Sequence, residues 1–309
     1  MSSRIPRVAF IFSIVSLFGY VEGITYNVAF VIPLHPPKFK HMAAFLDSYE
    51  SVGGVNADIS TVFSSREDSE EFAAVHHESI PEKGYLPLVY NGSAARLAMN
   101  PIFYKKYWAI FTLLDAYNFF FLVDSEIKIL KSFDAEELAS TIHYRKIFYG
   151  SEPKKEDLDR LFRYINEQSM YNFLDLDRQR LHVINRNSTV YFWYNEIPVV
   201  EAKTAKRYLE YIAFREDITD HAKADITGAN NAFDFLSYSY YCLLYDNFAL
   251  INVGYLAENI GPSFGEGGGG DSNLLRITRP HWALEETWLK SKNKFDQQNI
   301  VMLFHCDRH

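Results

Sequence analysis

The run Phe119-Phe120-Phe121-Leu122-Val123 offers water no polar side chain on either face of an extended chain. A strand of that kind is buried on both sides, which points to the middle of a mostly parallel sheet covered by helices on each face. The segments around it alternate accordingly. Val28-Ala29-Phe30-Val31-Ile32 reads as a first strand, stopped by Pro33 and by Pro36-Pro37, with a helix expected over 38–49. A second strand over 58–63, a charged helix over 67–75 and a shorter strand over 86–90 follow. Pro101 can open a helix, because Phe103, Tyr107, Ile110, Phe111 and Leu114 then recur at helical spacing. Beyond the apolar run, helices are expected over 135–144, 155–167, 201–214 and 232–245, with strands over 190–194 and 248–253. Strand and helix in this alternation imply an α/β, Rossmann-like domain over 24–309.

Composition narrows the partners rather than the fold. Of 309 residues, 48% are apolar, enough for a large core, and the net charge of -8 comes with no basic stripe. Nucleic acid held through its phosphates is therefore not expected. Cys242 and Cys306 are too few for a disulfide framework and match no zinc spacing, so buried free thiols or a single bridge remain. Arg4 and Arg7 precede an apolar run over 8–21 that is short for a membrane span. Residues 1–23 thus read as a signal peptide, a short signal anchor or a first buried element, the first two with membrane association at some stage. Two sequons, Asn91-Gly92-Ser93 and Asn187-Ser188-Thr189, are compatible with a route through the secretory lumen, ER or Golgi. The glycine-rich stretch over 261–270 lacks the Lys-Ser/Thr ending of a phosphate loop and reads as a loop or lid, or a plain connection.

The apolar run breaks into Asp124-Ser125-Glu126. Side chains alternate along a strand, so the two acids leave on the same side, at the sheet edge where open α/β sheets bind ligands. Oxygen donors of this type suit Mn²⁺ or Mg²⁺, with substrate phosphates and water completing the shell. Capping and solvation of a loop would use the same residues.

In its setting, the segment from Lys105-Lys106 through Val123-Asp124-Ser125-Glu126 to Phe133 resembles the GT-A glycosyltransferases, whose Asp-x-Asp motif, sometimes Asp-x-Glu, follows a hydrophobic strand. The resemblance implies a nucleotide-sugar donor, UDP by default, and a glycan or glycoconjugate acceptor. It divides the domain into a nucleotide half over 24–126 and an acceptor half over 127–309. Asp124 and Glu126 become metal ligands, with Asp124 and Ser125 beside the donor and Lys106 as the cation for its phosphates. A short strand and a helix are implied after the motif. The nucleotide pocket falls at Pro33 and Leu34, with Ser64 at the end of the second strand as a further contact. A histidine near the C-terminus is often a metal ligand in the family, which points to His305, with His281 as the competing choice and a merely hydrogen-bonded surface histidine as the other reading. Asp234, at the head of the helix opened by Gly228-Ala229-Asn230-Asn231, matches the general base of the inverting members, although Phe233 stands where an acid usually precedes it.

Two other readings use the same acids. A nucleotidyltransferase or nucleotide-sugar hydrolase would carry a Gly-rich basic loop after its first strand, where this chain has Pro33-Leu34-His35-Pro36-Pro37. A non-catalytic sugar-binding module is the other. The aromatic segment Tyr191-Phe192-Trp193-Tyr194 could stack acceptor sugars or pack a core.

Overall fold

The computed structural model of the chain describes residues 24–92, 94–151, 164–171, 173–185, 189–190, 197–218, 234–252, 274–277 and 301–305. Its strands are β1 (Val28–Pro33), β2 (Asp58–Phe63), β3 (Tyr85–Val89), β4 (Phe119–Leu122), β5 (Ile127–Ile129), β6 (Ile147–Ser151), β7 (Thr189–Val190), β8 (Val199–Glu201), β9 (Ala249–Asn252), β10 (Leu274–Ile277) and β11 (Met302–His305). The helices are α1 (Phe39–Val52), α2 (Arg66–His76), α3 (Ala94–Met99), α4 (Pro101–Leu113), α5 (Ala135–Tyr144), α6 (Asp175–Ile184), α7 (Ala202–Ile218) and α8 (Asp234–Tyr245).

A five-stranded sheet in the order β3-β2-β1-β4-β8 organises the molecule. β1 to β4 are parallel and only β8 is antiparallel. The apolar run expected to be central is β4, buried at every residue and flanked by β1 and β8. β1 and β2 are buried throughout as well, while Pro87 is exposed on the edge strand β3, where a missing N–H breaks no interior ladder.

The period of two sorts the strand side chains onto two faces. Val28, Phe30, Ile32, Phe119 and Phe121 pack with α1, α2 and α5, and Phe30 stacks on Phe121 with ring centroids 5.2 Å apart. On the other face Ala29, Val31, Phe120 and Leu122 pack with α4, α7 and α8. The connection β1-α1-β2-α2-β3 therefore covers one face, and α4 crosses the other to deliver β4 beside β1. That reversal makes the C-terminal ends of β1 and β4 the topological switch point, the crevice where open α/β sheets bind ligands.

Asp58 closes the opposite edge. It is the first residue of β2 and fully buried, and its Oδ2 accepts from Thr25 N at 2.8 Å, Tyr26 N at 3.3 Å and Tyr117 Oη at 2.9 Å. Gly84 lies against the other carboxylate oxygen with φ +71°, and a Cβ there would sit 2.7 Å from it. Glycine meets both demands, the left-handed backbone and the close approach.

Two three-stranded sheets complete the described structure, β10-β11-β5 and β7-β6-β9. The strand and helix implied after Asp124-Ser125-Glu126 are β5 and α5. Six elements were not expected from the sequence: α3, α6, β6, β8, β10 and β11. The expected helix over 155–167 lies partly outside the described residues, with 164–170 helical. Residues 1–23, 191–196 and 261–270, which carry the N-terminal segment, the aromatic stretch and the glycine-rich stretch, lie outside them. Among the described residues no helix is long and apolar enough to cross a membrane. Cys242 is a buried free thiol, whose pKa burial raises, while Cys306 lies outside the described residues.

Candidate active site

The switch point gathers most of the residues singled out by the sequence. β1 ends at Pro33, and Leu34 continues its pairing, donating its N–H to Val62 O at 2.9 Å. β4 ends at Leu122, and Val123, Asp124, Ser125 and Glu126 turn across the sheet edge into β5. Ser64 and Ser65 follow β2 at the same edge, and Ser65 caps α2 by accepting from Asp68 N at 3.1 Å. An Oγ at an N-cap satisfies an otherwise orphaned helix N–H.

Asp124 and Glu126 both meet an ammonium group. Lys106, reaching from α4 and itself 2% exposed, donates to Asp124 Oδ1 at 3.0 Å. Lys38, in the 3₁₀ turn Pro36–Lys38 after β1, lies 2.6 Å from Glu126 Oε1. Asp124 keeps 27% of its side-chain surface exposed and Glu126 15%, so both acids retain contact with solvent while each is paired with an ammonium group.

A third lysine, Lys105, was not singled out by the sequence. It is 2% exposed and its Nζ donates to the Leu34 carbonyl at 2.5 Å. Burial pushes its pKa down to about 8, against the pull of Asp68. His35 beside it is also held below the ordinary histidine value, first by burial and then by Lys105 and Lys38. The imidazole is therefore neutral near pH 7. Nothing in the spelling Lys105-Lys106 shows that two adjacent helix positions, about 100° apart, both turn inward, one to each strand end.

The remaining two residues come from distant sequence. β11 pairs antiparallel with β5 with Phe304 opposite Ile127, so the register brings His305 level with Glu126. Asp234 is the first residue of α8. Its neighbour Phe235 lines a small apolar cavity with Pro198 and Val199, and Pro198 O accepts from Leu122 N at 2.9 Å. The far end of α8 reaches Asp246, next to Glu201 at the opposite edge of the sheet. The helix thus runs alongside β8, from Phe235 beside Pro198 and Val199 to Asp246 beside Glu201. The side chains of Asp234 and His305 lie outside the described residues.

Two carboxylates of this kind fit a hard divalent cation, which takes one or two protein carboxylates and draws its other oxygens from water and phosphate. Among the described residues, the group of three or more histidine, cysteine and acidic side chains with metal-compatible spacing is a different one: His143, Glu201 and Asp246, with one ligand atom from each lying within 4.8 Å of the others. This group is at the other edge of the sheet, because Glu201 pairs with Phe119, the first residue of β4. Its space is already taken. Lys146 Nζ lies 2.7 Å from Asp246 Oδ2 and 3.1 Å from His143 Nε2, Arg207 reaches Asp246 Oδ1 at 2.9 Å, and Thr204 donates to Glu201 at 2.7 Å. The hydrogen bond from His143, opposed by burial but reinforced by Thr204, lowers the Glu201 pKa to about 2. Burial works against ionisation of Asp246, yet Lys146, Arg207 and Thr204 outweigh it and hold its pKa below the ordinary value.

No protein-family model and no curated protein matches this sequence. Among solved structures, the chain is similar to Staphylococcus aureus TarS 1-349, at 11% identity over 41% of this chain and 36% of that one, with a TM-score of 0.24. It is also similar to the mannosyltransferase Ktr4p of Saccharomyces cerevisiae in complex with GDP, at 10% identity over 74% of this chain and 70% of that one, with a TM-score of 0.42. A longer S. aureus TarS structure aligns over 41% of this chain and 22% of that one, at 9% identity and a TM-score of 0.26. The match thus spans about a third of the first TarS chain.

Proposed function

We propose that this chain is a metal-dependent glycosyltransferase of GT-A architecture, transferring a sugar from a nucleotide-diphosphate donor to a hydroxyl of a glycan or glycoconjugate. The observation that carries the reading is the placement of Asp124 and Glu126 at the switch point of a mostly parallel sheet, partly exposed and each held by a lysine. UDP is the first donor nucleotide to test. Pro33, Leu34 and Ser64, at the ends of β1 and β2, border the space for base and ribose. Ser125, between the two acids, is a further candidate contact to the donor, with its Oγ 3.4 Å from Glu126 Oε2.

Asp124 and Glu126, with His305 level with them in the register, are the candidate ligands of Mn²⁺ or Mg²⁺. Such an ion would stabilise the negative charge that develops on the departing diphosphate. Lys105 and Lys106 supply the remaining positive charge from α4, and neither is dispersed into bulk water, which strengthens its field at the crevice. Asp234 is the candidate base. It accepts the acceptor's hydroxyl proton as that oxygen bonds to the anomeric carbon, while the anomeric carbon–oxygen bond to the diphosphate breaks, giving inversion. The N-terminal 23 residues and the sequons favour the secretory lumen as its location, with the N-terminal segment as leader or anchor.

The test is sugar release from a panel of UDP- and GDP-sugars with and without Mn²⁺, in wild type and Asp124→Asn. Metal-dependent turnover that disappears in the variant supports the reading. Turnover that survives the variant intact rules out the metal role of Asp124, and a chain that neither hydrolyses nor transfers any donor is not this enzyme.

A further inference from the structure

Among the described residues, the acids and lysines that meet at the switch point already pair with one another before any ligand arrives. The ammonium groups of Lys38, Lys105 and Lys106 stand against the carboxylates of Asp68, Asp124 and Glu126, and His35 adds no charge near pH 7. A divalent cation entering alone would leave an excess of positive charge in a partly buried crevice, next to lysines that cannot leave it. A diphosphate entering alone would face Asp124 and Glu126. The two arriving together disturb that pairing least.

The lysines differ in how they could respond. Lys105 and Lys106 are buried along α4, with their stems inside the core. Lys38 sits in a short turn with 23% of its side chain exposed, and its ammonium meets Glu126, one of the two candidate metal ligands. It can let go of Glu126 without leaving a buried charge unpaired, because solvent and the crevice are both within reach of a flexible stem.

We propose that Lys38 is an exchangeable counter-ion. It holds Glu126 in the unloaded site and passes to an oxygen of the donor's diphosphate when a divalent cation takes Glu126, so that cation and nucleoside diphosphate bind as a coupled pair. This rests on the donor reading above. Lys38 is then a positioning residue as well as a lock, since it keeps Glu126 aimed at the crevice until the pair arrives.

The experiment is calorimetric titration of the full chain with Mn²⁺ alone, UDP alone, and each in the presence of the other. It is run on wild type, Lys38→Met and Lys38→Arg, with Asp124→Asn to subtract Mn²⁺ bound elsewhere, such as near His143. In wild type, saturating UDP is expected to tighten Mn²⁺ at least tenfold, with the same factor in reverse, as linkage requires. Lys38→Met is expected to tighten Mn²⁺ alone several-fold and to reduce the coupling below about threefold, and Lys38→Arg to restore it. Independent binding of Mn²⁺ and UDP in wild type, or unchanged coupling in Lys38→Met, overturns the proposal and leaves the donor reading intact. If neither UDP nor GDP binds wild type with Mn²⁺ present, the donor reading fails and the proposal with it.

Discussion

The two edges of the main sheet carry similar chemistry with opposite consequences. At the C-terminal edge Asp124 and Glu126 are each met by one lysine and remain partly exposed. At the N-terminal edge Glu201 and Asp246 are met by His143, Lys146, Thr204 and Arg207, which tie α5, β6, α7 and the end of α8 together. Exposure does not separate them, since Glu126 keeps 15% of its side chain exposed, Glu201 16% and Asp246 14%; the difference is that Asp246 already accepts from Lys146, Thr204 and Arg207. Equal counts of acids and bases therefore do not identify a site. What separates the two is how many donors each carboxylate already has and whether a cation occupies the space between them.

The comparison breaks or sharpens under substitution. The largest effect is expected for Asp124→Asn, which keeps an oxygen for Lys106 but removes the charge. Transfer should fall by at least about a hundredfold, and the melting temperature should fall as well, because the buried Lys106 ammonium keeps an oxygen acceptor but loses its counter-charge. Asp246→Ala is the mirror experiment. It strips Lys146 and Arg207 of their shared partner and should cost about 2 to 3 kcal/mol, a melting shift of roughly 5 to 10 °C, with nucleotide binding unaltered. Equal effects on binding from both variants would erase the distinction between the edges.

Acid should loosen the N-terminal edge. The Glu201 pKa is lowered to about 2 in the folded chain, below the ordinary glutamate value near 4.3, so its contribution is complete above that ordinary value. That contribution is lost as the pH falls from about 4.5 to 2, where the unfolded chain binds the extra proton. Glu201→Gln should flatten this acid limb in melting scans, by on the order of 2 kcal/mol. The smallest shift is expected at Lys105, whose pKa of about 8 lies below the ordinary lysine value. Here stability rises with pH from about 8 to 10.4, because the unfolded lysine keeps a proton that the folded one has released. Lys105→Met should therefore raise the melting temperature slightly at pH 7, by about 1 kcal/mol or less after solvent screening, and weaken nucleotide binding. A drop in stability would mean that Lys105 serves packing instead.

Much of the frame was legible because burial on both faces leaves uninterrupted apolar strands, as in β1 and β4, and because amphipathic helices such as α1 and α5 show their stripe. Other elements carried no such signal. β8 is three residues long, and its end merges into α7 without a turn residue. α6 buries only Asp177 and Leu181, and Asp177 is inward because Tyr211 and Tyr245 donate to it, at 2.8 and 2.5 Å. No periodicity announces a helix anchored by a buried acid. At the candidate site the acids were readable from the strand that ends in them, whereas Lys38 and Lys105 depend on tertiary approach. Pairing of β11 with β5 likewise brings His305 level with Glu126 across more than half the chain.

The Asp58 clasp has a consequence for orientation. Thr25 and Tyr26 are held at the start of β2, on the edge farthest from Asp124. Whatever lies upstream therefore joins the domain from behind, with the full length of the sheet between that junction and the crevice.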